Sequence, residues 1–135
     1  MSKTHLAPYI NFQGSARDAM EHYHGILGGK LELFASDESG KPKAAGPGDR
    51  IMYARLDADG IVIIASDGHP KYPATAGDHI GLSIGGTDRD RLVTVFNALA
   101  EGGRVAMPLT DQPWGTAGWL TDRFGINWNV DIEKE

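Results

Sequence analysis

A chain of 135 residues and 14.5 kDa has material for one ordinary domain, and 18 acidic against 13 basic residues leave a formal charge of −5, which argues against nucleic acid or an anionic membrane surface as a partner. No cysteine is present, so disulfides, thiolate metal centres and a thiol nucleophile are excluded. Apolar content of 41% with 23% charged residues is that of a folding chain, and the 18 glycines, about twice the usual share, imply many tight turns.

Residues 6–12, with a proline followed by aromatic and β-branched residues, predict a first strand, and Gly14 ends it. Ser15 with Asp18 three residues on has the shape of a capping box. The helix it opens carries Ala16, Ala19, Met20, Tyr23, Ile26 and Leu27 on one stripe and stops at Gly28-Gly29. Residues 30–35 predict a strand, and residues 36–49, rich in glycine and proline without a period, predict a mobile loop. Residues 51–57 and 61–66 predict a hairpin turning at Ala58-Asp59-Gly60, after which residues 68–78 read as a linker.

The order then repeats. Residues 79–84 predict a strand, Gly85-Gly86 a break, and residues 87–100 a helix with Leu92, Val95, Phe96 and Leu99 as its stripe, stopped by Gly102-Gly103. Strands follow at 105–109, 117–121 and 126–132, the last two joined by Asp122-Arg123-Phe124-Gly125. Asp57-Ala58-Asp59-Gly60-Ile61 matches Asp122-Arg123-Phe124-Gly125-Ile126 at a shift of 65 without a gap, and the first strands match from Pro8 to His79 at a shift of 71. The plan is α+β: two βαβββ modules, about 6–67 and 79–132, in one domain spanning 1–135. The longest aliphatic run, Ile61 to Ala65, is far short of the ~20 residues of a membrane span, and no apolar signal core opens the chain. The expectation is a soluble cytoplasmic protein.

Pro8-Tyr9-Ile10-Asn11-Phe12, Asp18-Ala19 and Tyr23 ahead of Leu27-Gly28-Gly29, then Trp114-Gly115, Asp122, Phe124-Gly125 and Trp128, resemble the vicinal oxygen chelate superfamily. That group includes glyoxalase I, extradiol dioxygenases, fosfomycin resistance enzymes and bleomycin-binding proteins, and the closer likeness is to its PhnB-like branch. The resemblance implies two half-barrels around a central pocket, a glyoxalase/bleomycin-resistance fold, usually as a homodimer joined through strand edges. It also implies four matched metal positions, one on the first and one on the last strand of each module, which fall here on Pro8, Ile64, His79 and Asn129. Proline and isoleucine side chains cannot coordinate, and a neutral amide binds transition metals weakly, so no metal or other cofactor is expected.

On the last strand Ile126, Trp128 and Val130 alternate with Asn127, Asn129 and Asp131, which puts the polar set on the pocket side. The same reading places Ile80, Leu82 and Ile84 against the helix and His79, Gly81 and Ser83 in the pocket. The expected ligand contacts are Ile10, Phe12, Val62 and Ile64 from the first module, His79, Ser83, Asn127 and Asn129 from the second, and Trp114 as an aromatic wall. His79 is the best catalytic candidate because an imidazole suits proton transfer near neutral pH; a histidine bonding its neighbours in a polar cavity explains it equally well. Asn127 and Asn129 either orient a ligand or bond each other, Trp114 serves a pocket or ordinary packing, and Asp131 is better explained by exposure at a strand end.

The leading expectation is therefore a metal-independent protein that binds a small, partly apolar molecule. The alternative is a divalent-metal enzyme of lyase, isomerase or dioxygenase type that uses His79. A third reading is an interaction module working through sheet edges. Homologues of this branch are labelled demethylubiquinone methyltransferases, yet the sequence lacks the glycine-rich nucleotide loop a methyl donor would need.

Overall fold

A computed structural model describes residues 4–134. The chain divides into two compact units, Met1–Thr75 and Ala76–Glu135, and the boundary falls inside the 68–78 segment.

The first unit runs β1 (Tyr9–Asn11), α1 (Ala16–Leu27), β2 (Lys30–Ser36), β3 (Pro42–Ala44), β4 (Tyr53–Ala58) and β5 (Ile61–Ser66). Its sheet order is β1-β5-β4-β2-β3, with β1 parallel to β5 and the remaining pairs antiparallel. The second runs β6 (Leu82–Gly86), α2 (Arg89–Ala100), β7 (Arg104–Gln112), β8 (Gly115–Thr121) and β9 (Asn127–Glu133), in the order β6-β9-β8-β7, again with its first and last strands parallel. Without β3 the two orders are the same. The α+β plan of duplicated modules expected from the sequence is the observed one.

Each helix buries the stripe its spacing predicts. Ala16, Ala19, Met20, Tyr23 and Leu27 are buried with Ala54, Leu56, Ile63 and Ala65 of the first sheet; Leu92, Val95, Phe96 and Leu99 are buried with Leu120, Trp128, Val130 and Ile132 of the second. Alternation along each strand leaves a second, helix-free face. The close passage from helix to sheet depends on glycine twice over. Gly29 has φ +84°, and a Cβ there would press on the Asp57 carbonyl and lie 2.7 Å from Ala58 Cα. A Cβ on Gly103 would press on the Thr121 carbonyl and lie 2.9 Å from Asp122 Cα.

Three expectations are corrected. Residues 36–49 are not all loop, because the Asp37 carboxylate accepts the backbone N–H groups of Ser39 and Lys41, each at 2.9 Å, and closes a turn that sets β3 against β2. Pro42 is tolerated there because β3 is an edge strand. Ser15 does not cap α1 with its side chain; its hydroxyl donates to the Phe12 carbonyl, and the cap comes from Asp67, 51 positions beyond Ala16, whose Oδ1 accepts from the N–H groups of Gly14 and Ala16. The strand expected from residue 79 begins at Leu82. Leu82 pairs with Trp128 in parallel register, so His79 and Ile80 would have to pair with residues of the β8–β9 turn.

Candidate functional site

The helix-free face of the second module is built in rows across the sheet. Ser83 pairs with Asn129, and Asn129 with Trp119; Gly85 pairs with Asp131, and Asp131 with Ala117. On the third row Thr121 donates to Asn127 Oδ1 at 2.7 Å, and Asn127 Nδ2 donates to the Asp78 carbonyl at 3.1 Å. Asn129 Nδ2 donates to Asp131 Oδ2 at 3.2 Å, while its Oδ1 is buried without a hydrogen-bond partner among the described residues. Trp119 stands 52% exposed beside this set. The alternating last strand thus delivers Asn127, Asn129 and Asp131 to one face, with Ser83 next to Asn129.

His79 is exposed in the segment before β6 and makes no hydrogen bond or ion pair among the described residues. Trp114 is 66% exposed at the tip of the β7–β8 hairpin, whose two turn residues are Pro113 and Trp114. Strand pairing brings neither to the Asn129 row.

In the first module, Val62 and Ile64 of β5 lie on the helix-free face, opposite in parity to the buried Ile63 and Ala65. Ile10 and Phe12 do not share it. Ile10 pairs with Ala65, which is buried on the helix side, and the Phe12 ring lies 6.3 Å from that of Tyr23 on α1. The β1 residues on the Ile64 face are Tyr9 and Asn11, and the Tyr9 hydroxyl meets Ser66 Oγ at 2.5 Å. Arg55, paired in register with Ile64, adds a cation, and its Nη2 lies 3.2 Å from Asp57 Oδ2. The side chains of Tyr53 and Asp57 hold its guanidinium above the usual arginine value. The face is therefore apolar at Val62 and Ile64 and charged beside them.

The register also corrects the internal match. The shift of 65 carries Ile64 to Asn129, and their parallel partners are Tyr9 and Ser83, so the first strands match at 74 rather than 71. His79 then corresponds to His5, and Pro8, whose carbonyl accepts the Ile64 N–H at 3.0 Å, is no counterpart of it. The first and last strands set Tyr9 beside Ile64 in one module and Ser83 beside Asn129 in the other. That donor set, with one isoleucine and otherwise neutral oxygen or amide groups, does not fit a divalent transition metal. Among the described residues no group of three or more histidine, aspartate or glutamate side chains is placed to hold a metal ion.

Two buried carboxylates, Asp67 and Asp122, organise the modules. Asp67 Oδ2 accepts the Ile51 N–H at 2.9 Å in addition to the helix cap. Asp122 Oδ1 accepts from Phe124 and Ile126, and its Oδ2 from Trp128 Nε1 at 2.9 Å. Arg55 and Trp119 are absent from the residues the sequence singles out, and strand parity relative to Ile64 and Asn129 is the signal that finds them.

The family model described as 3-demethylubiquinone-9 3-methyltransferase matches residues 4–131. The chain belongs to this family. It is similar to protein PA1353 of Pseudomonas aeruginosa, a solved structure with 38% identity and a TM-score of 0.84, covering 98% of this chain and 100% of that one. Protein YjdN of Escherichia coli strain K12 is 27% identical over 143 residues, 96% of each chain. A structure from Bacillus cereus titled a putative 3-demethylubiquinone-9 3-methyltransferase, PhnB protein, shares the fold at 23% identity and a TM-score of 0.74, covering 96% of this chain and 99% of that one. The wider fold group includes a glyoxylase/bleomycin resistance protein/dioxygenase domain from Frankia and the fosfomycin resistance protein FosX of Listeria monocytogenes, with TM-scores of 0.60 and 0.59. The fold is the one that the resemblance to the vicinal oxygen chelate superfamily implied.

Proposed function

We propose that this PhnB-like protein binds a small, partly apolar organic molecule on the helix-free faces of its sheets, without a metal ion. The observation that carries the reading is the Ser83–Asn129–Trp119 row. It combines an exposed indole with amide and hydroxyl groups, the mixture of one apolar surface and a few fixed polar groups that small-molecule sites use. Val62 and Ile64 offer a further apolar surface, with Arg55 to meet a polar end. Among the described residues each sheet has a single parallel pair, unlike the doubly wound parallel sheets that bind nucleotide cofactors.

Calorimetric titration of metal-free protein against a panel of small amphipathic molecules tests the proposal. Saturable binding that survives EDTA and weakens about tenfold in Trp119→Ala or Asn129→Ala is expected, a loss of about 1.4 kcal/mol. Binding or turnover that requires a stoichiometric divalent ion and vanishes in His79→Ala would instead establish the metal-dependent alternative. A homodimer through the sheet edges is part of the proposal, and light scattering should report twice the 14.5 kDa of one chain.

A further inference from the structure

Module two contains a pocket of about 550 Å³ where β6 and β9 end and α2 begins, and it shares no lining residue with the Ser83–Asn129–Trp119 row. An arginine is fixed there. Arg89 Nη2 donates to Thr116 Oγ1 at 2.7 Å, and Thr116 donates in turn to Asp111 Oδ1 at 2.8 Å. Thr116 is only 5% exposed, so a buried hydroxyl with no rotational freedom left holds a side chain whose ordering costs entropy. Arg89 has no carboxylate partner among the described residues, which leaves its other guanidinium N–H groups unspent at the pocket.

The duplication shows how the corresponding place is filled in module one. The shift of 65 that superimposes the hairpins carries Ile51 to Thr116 and Asp67 to Ile132, and the helix starts, Ala16 and Arg89, correspond. In module one the carboxylate of Asp67 occupies the position, taking N–H groups from Gly14, Ala16 and Ile51, all at 2.9 Å. Module two has isoleucine instead of that carboxylate, and an arginine beside the pocket.

We propose that this pocket binds the carboxylate of a small organic molecule, with Arg89 as its charged partner. Lys134 also lines the pocket and adds a second cation. Asp111 and Glu133 are lining residues too, and their charge disfavours a dianion, so a monocarboxylate is the class selected. The volume falls within the range of small-molecule sites, roughly 300–1,000 Å³, and admits an organic body beyond the carboxylate.

Titrating ¹⁵N-labelled full-length protein with sodium acetate, against sodium chloride at equal ionic strength, tests the assignment. Saturable shifts are expected at the Thr87 and Thr116 amides and at Arg89 Nε. Arg89→Gln should raise the half-saturating acetate concentration at least tenfold, and Arg89→Lys, which keeps the charge but loses the fork, several-fold, while Arg104→Gln on β7 leaves it unchanged. Non-saturating shifts, an equal response to chloride, or binding indifferent to Arg89→Gln would overturn the proposal. The Asn129 and Trp119 signals serve as a separate readout, so this result stands or falls independently of the reading of the helix-free face.

Discussion

Asp67 is the residue on which most of the first module's geometry turns, since one buried carboxylate closes the start of α1 and fixes Ile51 ahead of β4. Removing it leaves three N–H groups without their acceptor, and buried donors left unmade are more costly than a net hydrogen bond is favourable. Asp67→Ala should lower the unfolding free energy by about 3 kcal/mol, read from urea denaturation midpoints. A loss below about 1 kcal/mol would mean that water replaces the carboxylate. Asp37, exposed, and Asp49, half-buried, are carboxylates held below their ordinary pKa. For Asp37 the first cause is the Ser39 side chain and the next the Lys41 N–H, and for Asp49 the Gly46 N–H and then the Lys43 charge. A depressed carboxylate contributes stability above its unfolded pKa and loses it as pH falls through the folded value. The 37–49 segment should therefore loosen first on acidification below about pH 4, visible as faster amide exchange there than in β4 and β5.

At the scale of elements, the helix-to-sheet crossings explain Gly29 and Gly103 by steric need. Gly29→Ala forces a methyl against the Asp57 carbonyl, whereas Gly60→Ala, at a similar φ of +74°, meets nothing within 4 Å. Gly60→Ala should cost about 1 kcal/mol from backbone conformation alone, and Gly29→Ala about 2 kcal/mol more from overpacking. Equal melting-temperature shifts in the two variants would show that the crossing can relax.

Most elements are legible in the sequence because helix stripes and glycine breaks are local signals. The parity of the first strands is not. Pro8 to Phe12 has no alternation, so only the pairing of Tyr9 with Ile64 tells which side chains leave the helix side, and Ile10 and Phe12 were misplaced for that reason. The last strand alternates strictly, and Asn127, Asn129 and Asp131 lie opposite in parity to the buried Trp128, Val130 and Ile132. β3 escaped notice because a carboxylate turn, rather than an apolar repeat, creates it. His79 was placed in a strand by composition, although its pairing positions are spent in a turn.

For the whole molecule, the donor set on the first and last strands predicts that EDTA leaves the melting temperature unchanged and that the purified chain carries no stoichiometric zinc, manganese or nickel by elemental analysis. A drop of several degrees on chelation would place a metal at ligands other than these. No described helix is long and apolar enough to cross a membrane.

The duplication has also left the two modules spectroscopically distinct. Trp114, Trp119 and Trp128 all lie in the second unit, and Tyr9, Tyr23, Tyr53 and Tyr72 all lie in the first. Light of 295 nm, which tyrosine scarcely absorbs, therefore excites one half of the chain only. Trp128, clamped by Asp122 and 4% exposed, should emit to the blue of Trp114 and Trp119, so that a red shift during denaturation times the opening of the second core. Circular dichroism follows both halves together, and any lag between the two signals measures how far the modules melt as separate bodies, without a label on either.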